Sequence, residues 1–183
     1  MNGRESTRRR LLATGGALLA SGVAGCVDEE LGRDEPLIGD PEPYVEVELT
    51  AENDAVSLDP PIAHVVDGGT VEWIAESGTH EVVAYHPDTH RDQRRIPDDS
   101  APWEREVAPS SPFDRVFDGE GVYDYACRTH ENRGMVGTVL VGLPAPEDQP
   151  ALEPPADSYP EAASESLEEY NERVRDVLAE AHT

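Results

Sequence analysis

An all-β fold, a two-sheet antiparallel sandwich, is what the centre of this chain predicts. Three observations carry that expectation. Tyr44-Val-Glu-Val-Glu-Leu49 alternates apolar and charged residues, the period-2 mark of a half-buried strand. Six further short β-rich runs follow at 61–66, 71–75, 80–85, 113–117, 122–127 and 136–141, with no helical period among them. Glycine-bearing turns such as Asp67-Gly68-Gly69 and Asp118-Gly119-Glu120-Gly121 separate several of these runs. Within 122–127, Tyr123, Tyr125 and Cys127 share one face and Asp124 and Ala126 the other. The polar stretch 86–111 breaks the rhythm, and a connection of that length is either functional or contains a further small element.

The two ends have a different character. Residues 1–25 combine an arginine-rich start with an apolar stretch too short to span a bilayer, as an export signal does. Thr7-Arg8-Arg9-Arg10-Leu11-Leu12 resembles the twin-arginine export motif. Val23-Ala24-Gly25-Cys26 resembles a lipobox, which implies cleavage before Cys26 and lipidation of that cysteine. Residues 26–43 read as an acidic tether, 44–142 as the β domain, and 143–163, with six prolines, as an extended linker. Residues 164–183 read as a short amphipathic helix: Ser166-Leu-Glu-Glu169 resembles a capping box, and Leu167, Tyr170, Val174, Val177, Leu178 and Ala181 share one face. Packing on the sandwich or fraying in solution is its expected fate.

Charge narrows the function classes. The 183 residues hold 39 acidic and 14 basic side chains, for a net charge of −25, and every basic residue is arginine. Removing 1–25, with its four arginines and one glutamate, leaves 10 against 38, or −28. Such a surface repels phosphate groups and anionic lipid, which excludes nucleic-acid binding and peripheral membrane binding through a basic face. Self-repulsion of this size also points to a protein that works in molar salt, as in a halophile.

The chemistry concentrates in four residues. Cys26 and Cys127 are the only cysteines. With Cys26 reserved for lipid, Cys127 lacks a disulfide partner and calls for another role. Cys127-Arg-Thr-His130-Glu-Asn-Arg-Gly-Met135 sets thiol, imidazole and thioether on one tight loop, and His80 offers a second imidazole at the start of a strand. This soft set suits copper rather than magnesium, calcium or structural zinc. Two histidines and a cysteine with a weak axial methionine are acceptable to both Cu(I) and Cu(II), so electron gain and loss require little rearrangement. An enzyme would need an open coordination position or a second metal, so a non-enzyme is expected.

The run Tyr123–Gly137 resembles the C-terminal metal loop of the plastocyanins, and Val71–Val83 resembles the upstream histidine segment of that family. The C-x₂-H-x₄-M spacing and the 47-residue interval from His80 to Cys127 match its pattern. Together with the export signal, lipobox and acidic composition, the chain resembles the halocyanins, the membrane-anchored blue copper proteins of halophilic archaea. The resemblance covers about 44–142 and implies a cupredoxin fold with one copper ion. It implies His80, Cys127 and His130 as strong ligands and Met135 as the weak axial one. It further implies a monomeric one-electron carrier, lipid-anchored on the outer face of the cytoplasmic membrane and serving respiratory-chain redox partners. The alternative is an extracytoplasmic copper-binding or delivery protein; an oxidase subunit with a dinuclear centre would need two cysteines in one loop. The pattern departs at Thr129, where many relatives carry proline. It departs again at Ala126, where photosynthetic plastocyanins carry a tyrosine, which leaves His130 as the favoured electron exit.

The remaining candidates carry weaker expectations. His64 reads as solvent-facing, while His86 and His90 with Asp88 read as ordinary loop residues or as a second metal site. Arg91, Arg94 and Arg95 read as partners of the protein's own carboxylates or as a dock for an acidic protein. A small apolar patch of Pro61, Gly134, Val136 and Gly137 is expected around His130.

Overall fold

The computed structural model describes residues 38–53 and 55–183. The export and lipidation readings on 1–25 and Cys26, and most of the tether, lie outside the described residues. Eight strands form: β1 (Glu42–Glu52), β2 (Ala55–Asp59), β3 (Ile62–Ala75), β4 (His80–Ala84), β5 (Glu104–Val107), β6 (Phe113–Phe117), β7 (Gly121–Cys127) and β8 (Val136–Val141). One α-helix is found among the described residues, α1 (Glu161–Ala181) near the C-terminus.

The strands run β2-β1-β3-β8-β7-β4-β5, with β6 attached to β3. The two runs read as separate strands at 61–66 and 71–75 are one strand that serves both layers. Its first part, Ile62–Val65, pairs with β8, and its second, Thr70–Ala75, pairs with β1 and β6. The crossing between layers falls at Gly68-Gly69. Gly68 has φ 79, and a Cβ on Gly69 would lie 2.8 Å from the Val66 carbonyl oxygen, so the strand bends there without breaking. The sandwich is mixed rather than wholly antiparallel. β1 pairs β2 as a hairpin, which leaves β3 to lie on the other side of β1 in the parallel sense, and β3 meets β8 in parallel as well.

Between the layers Trp73 is fully buried, stacked on Phe113 at 5.3 Å and edge-on to Tyr125 at 5.3 Å. The long connection contains the further element: β5 pairs with β4, and Ile96 and Trp103 enter this same core.

The C-terminal stretch is not a free linker. Short 3₁₀ turns at Pro146–Asp148 and Pro150–Leu152 carry Ala151 and Leu152 into contact with Ile62, Val122 and Leu140. Helix α1 starts at Glu161, five residues before the expected cap, with Pro160 preceding it. Ser166 therefore lies inside the helix, where its hydroxyl donates to the Ala162 carbonyl. The helix packs Ala163, Leu167, Val174 and Leu178 on the sheet, with Asn171 also buried and Ala181 exposed. It covers the outer face of β7 and β8, so every residue of both strands is buried. Asp124 on that face is fully buried, paired with fully buried Arg95 at 2.8 Å and accepting from Thr138 at 2.6 Å.

His64 is buried rather than solvent-facing. Its Nδ1 lies 2.7 Å from the Gly39 carbonyl oxygen and its Nε2 3.0 Å from that of Gly142, so it bridges the two chain segments that flank the sandwich.

Candidate metal centre

Strand pairing brings two of the four donors together. β4 and β7 are antiparallel with Val82 opposite Cys127, which places His80 two residues away on the inward face that Val82 and Ala84 also occupy. Cys127 closes β7, and the chain then turns tightly before β8. His130 N–H donates to the Cys127 carbonyl at 2.9 Å, Cys127 N–H to that of Met135 at 2.9 Å, and Met135 N–H to that of His130 at 3.3 Å. Gly134, at φ 80, ends the 3₁₀ turn Glu131–Arg133 and lies against the first turn of α1, where a Cβ would come within 3.2 Å of the Ala162 carbonyl oxygen.

The donor atoms converge. Cys127 Sγ lies 3.5 Å from His80 Nδ1 and 3.3 Å from His130 Nδ1, and the three donor atoms all fall within 4.8 Å of one another. His80 Nε2 is 2.8 Å from the Ser77 carbonyl oxygen. That contact requires the proton on Nε2 and frees Nδ1 as a donor toward the centre. The turn holding Ser77 is itself fixed to the end of β1, through Ala51 N–H to Ser77 Oγ at 3.2 Å and Glu76 N–H to the Leu49 carbonyl at 2.9 Å. Met135 is buried in the same cluster as Cys127.

The electrostatics suit a metal thiolate. Burial pushes the Cys127 thiol up, but hydrogen bonds from His80, Thr129 and the Glu81 backbone outweigh it and hold the thiol below its ordinary value. Burial works to lower His80, whereas its contacts to Cys127 and Ser77 prevail and raise it. His130 is lowered, by burial first and then by His80 and Arg133. A buried cysteine sulfur facing two imidazole Nδ1 atoms is a soft donor set, and it fits copper.

The structure thus gathers three of the predicted donors in one cluster and buries Met135 beside them. Cys127 is a free, buried thiol. The other candidates are committed elsewhere. His86 Nδ1 accepts from the Asp88 backbone N–H, His90 Nε2 lies 3.0 Å from Glu131, and neither stands in the donor cluster found among the described residues. Arg95 is spent on Asp124, and Arg91 pairs with Glu131. The expected apolar patch does not form as read. Val136 is 1% exposed beneath Tyr159, Ala163 and Leu167, because α1 covers its face of the sheet, and Gly137 is buried on the opposite, inner face against the Tyr125 ring.

Sequence reasoning passed over Glu131. Its carboxylate is 3% exposed and accepts from Tyr85 at 2.8 Å and from Arg91. Burial works to raise it, but His90, Arg91 and Tyr85 together bring it down to about 2.

A β-sandwich that gathers one cysteine thiol and two imidazoles in one cluster has the donor set of a copper protein of the cupredoxin class. The description "Copper binding proteins, plastocyanin/azurin family" matches residues 45–142, more than half of the chain. The chain belongs to that family. It is 31% identical over 120 residues to halocyanin of Natronomonas pharaonis, an alignment covering 64% of this chain and 62% of that one, so the match spans under two thirds of the relative's length. Among solved structures, the pseudoazurin of Hyphomicrobium denitrificans superimposes with a TM-score of 0.57 at 21% identity, over 71% of this chain and 97% of the other. A Sinorhizobium pseudoazurin gives 0.54 at 20% identity, over 74% and 97%. These two likenesses establish the fold.

Proposed function

We propose that this protein is a one-electron carrier with His80, Cys127 and His130 as strong copper ligands and Met135 as the weak axial one. The single observation that carries this reading is the convergence of both Nδ1 atoms on Cys127 Sγ, with Cys127 and His80 buried. Copper bound there would supply one electron at a time by passing between Cu(I) and Cu(II). The chain's part is to keep its donors in place through that exchange. β4 and β7 fix His80 and Cys127, the Ser77 contact fixes the tautomer of His80, and the turn hydrogen bonds fix His130 and Met135. His80, Cys127 and Met135 exclude water, and half-buried His130 is the donor that reaches the surface, which makes it the electron exit. A delivery protein needs an open site, and this burial speaks against that alternative.

The proposal extends to place and partners. The twin-arginine and lipobox resemblances support export and anchoring through lipid on Cys26, at the outer face of the cytoplasmic membrane. Among the described residues, no helix is long and apolar enough to cross a membrane. The carrier acts as a monomer between respiratory-chain redox proteins, in the high salt that its charge implies. Copper-loaded, oxidised protein should show an intense thiolate-to-copper absorption band that disappears in Cys127→Ser. A colourless Cu(II)-loaded wild type would overturn the reading.

A further inference from the structure

The seven residues between Cys127 and Met135 contain no proline, and Thr129, Asn132 and Arg133 among them are exposed. One side chain of this loop turns fully inward: Glu131, the neighbour of His130 in sequence. Its carboxylate takes three hydrogen bonds, from Tyr85 at 2.8 Å, from Arg91 Nε at 3.1 Å and from a terminal nitrogen of Arg91, and His90 Nε2 lies 3.0 Å away. These partners come from the segment just beyond β4. Arg91 itself has φ 71, a left-handed conformation that a non-glycine residue keeps only when its surroundings impose it. The Arg91 side chain also donates to the Ser158 carbonyl at 3.2 Å and lies over the Tyr159 ring at 5.6 Å, while Tyr159 packs on Tyr85 at 5.0 Å.

A buried ion pair serving stability alone has no need to sit beside a ligand. This one sits in the turn whose backbone carries both His130 and Met135. Gly134 N–H donates to the Glu131 carbonyl, and Arg133 and Met135 N–H to that of His130. Fixing Glu131 therefore fixes the positions from which both side chains project.

We infer that Glu131, held by Tyr85 and Arg91, is a positioning residue for the metal loop, clamping His130 and Met135 in one geometry for both oxidation states. The inference deepens the electron-carrier reading and rests on it for the clamp's purpose. The clamp itself is a property of the metal-free chain. It ties the loop to the 85–91 segment and to residues 158–159, so the C-terminal extension is coupled to the ligand loop through Arg91.

The test compares wild type, Glu131→Gln, Tyr85→Phe and Val174→Ala, the last a core truncation in α1 away from the loop. Amide hydrogen exchange over residues 130–135 is measured without metal, and copper release to a chelator with it. In Glu131→Gln, loop exchange should quicken about tenfold. Copper release should quicken about 10- to 100-fold, as removal of a supporting partner usually causes, with a shift of the thiolate-to-copper band. Tyr85→Phe should move both readouts the same way by less, whereas Val174→Ala should lower the melting temperature and move neither. Glu131→Gln that merely melts earlier, with loop exchange and release unchanged, would overturn the inference. If that variant does not fold, Tyr85→Phe decides, and unchanged loop exchange in it counts against the clamp. A wild type without the band would sink the copper reading, and metal-free exchange would still decide whether Glu131 holds the loop.

Discussion

Asp124 lies on the face of β7 that points away from the sandwich core, where an open sheet would leave it in water. Here the C-terminal extension covers that face, so the carboxylate is stable only with its counter-ion. Arg95 Nε meets it at 2.8 Å, and the rest of the guanidinium is absorbed by the Ala151 and Glu153 carbonyls, with the Asn171 carboxamide bridging Arg95 and Ala151. Breaking such a pair from one side costs far more than replacing both partners. Arg95→Met should lower unfolding stability by about 3–5 kcal/mol, and Arg95→Met with Asp124→Leu should recover much of it. Denaturant unfolding of the three proteins checks this, and a single-variant loss below about 1 kcal/mol would contradict it. The cluster of His80, Cys127 and His130 was legible because a soft metal demands particular side chains at particular spacings. Glu131, Arg95 and Asp124 were not. In a chain with 39 acidic residues a functional carboxylate looks like every other, and pairing across 29 positions leaves no local pattern. His64 misled for a related reason: alternation along a strand assigns a face, but not what later covers that face.

Strands flanked by turns, such as β4, β6, β7 and β8, were legible at close to their observed limits, whereas the alternation at 44–49 marked only the middle of β1. β2 and β5 were not, because each is short, and the three exposed positions of β5 are all charged, so pairing rather than pattern makes each a strand. The two predicted runs joined in β3 were separated in the reading by a glycine pair that marks a change of layer instead of a turn. The largest departure concerns residues 143–163, since a helix packed on the sandwich was expected after them. Proline-rich composition signals extension, yet it says nothing about docking, and a helix marginal in water becomes stable once its apolar face meets a sheet. Leu167 is fully buried on that face with Val136, Ala126 and Tyr85. Leu167→Ala should therefore cost about 2–5 kcal/mol, as core leucine truncations do. Equilibrium denaturation measures it, and a loss under about 1 kcal/mol would mean that α1 contributes little to the folded state.

At the scale of the whole molecule the dominant fact is a net charge of −25. Carboxylates outnumber arginines 39 to 14, and among the described residues several arginines are already engaged: Arg95 with Asp124, Arg91 with Glu131, and Arg128 with Glu81 and Glu104. The folded state thus carries an excess of like charge packed closer together than in the unfolded chain, and this repulsion opposes folding. Added salt shortens its range, from about 10 Å at 0.1 M to about 3 Å at 1 M, so the molecule gains stability as ionic strength rises. The melting temperature should climb steeply up to roughly 1 M sodium chloride, where screening is nearly complete. Beyond that point chloride should add little, whereas sulfate at equal ionic strength should continue to raise it by strengthening apolar burial. Thermal melts in the two salts from low to multimolar concentration separate the two effects. A melting temperature flat below 1 M would show that like-charge repulsion is not what limits this fold. A chloride curve as steep above 1 M as below it would assign the stabilisation to solvent exclusion rather than to screening.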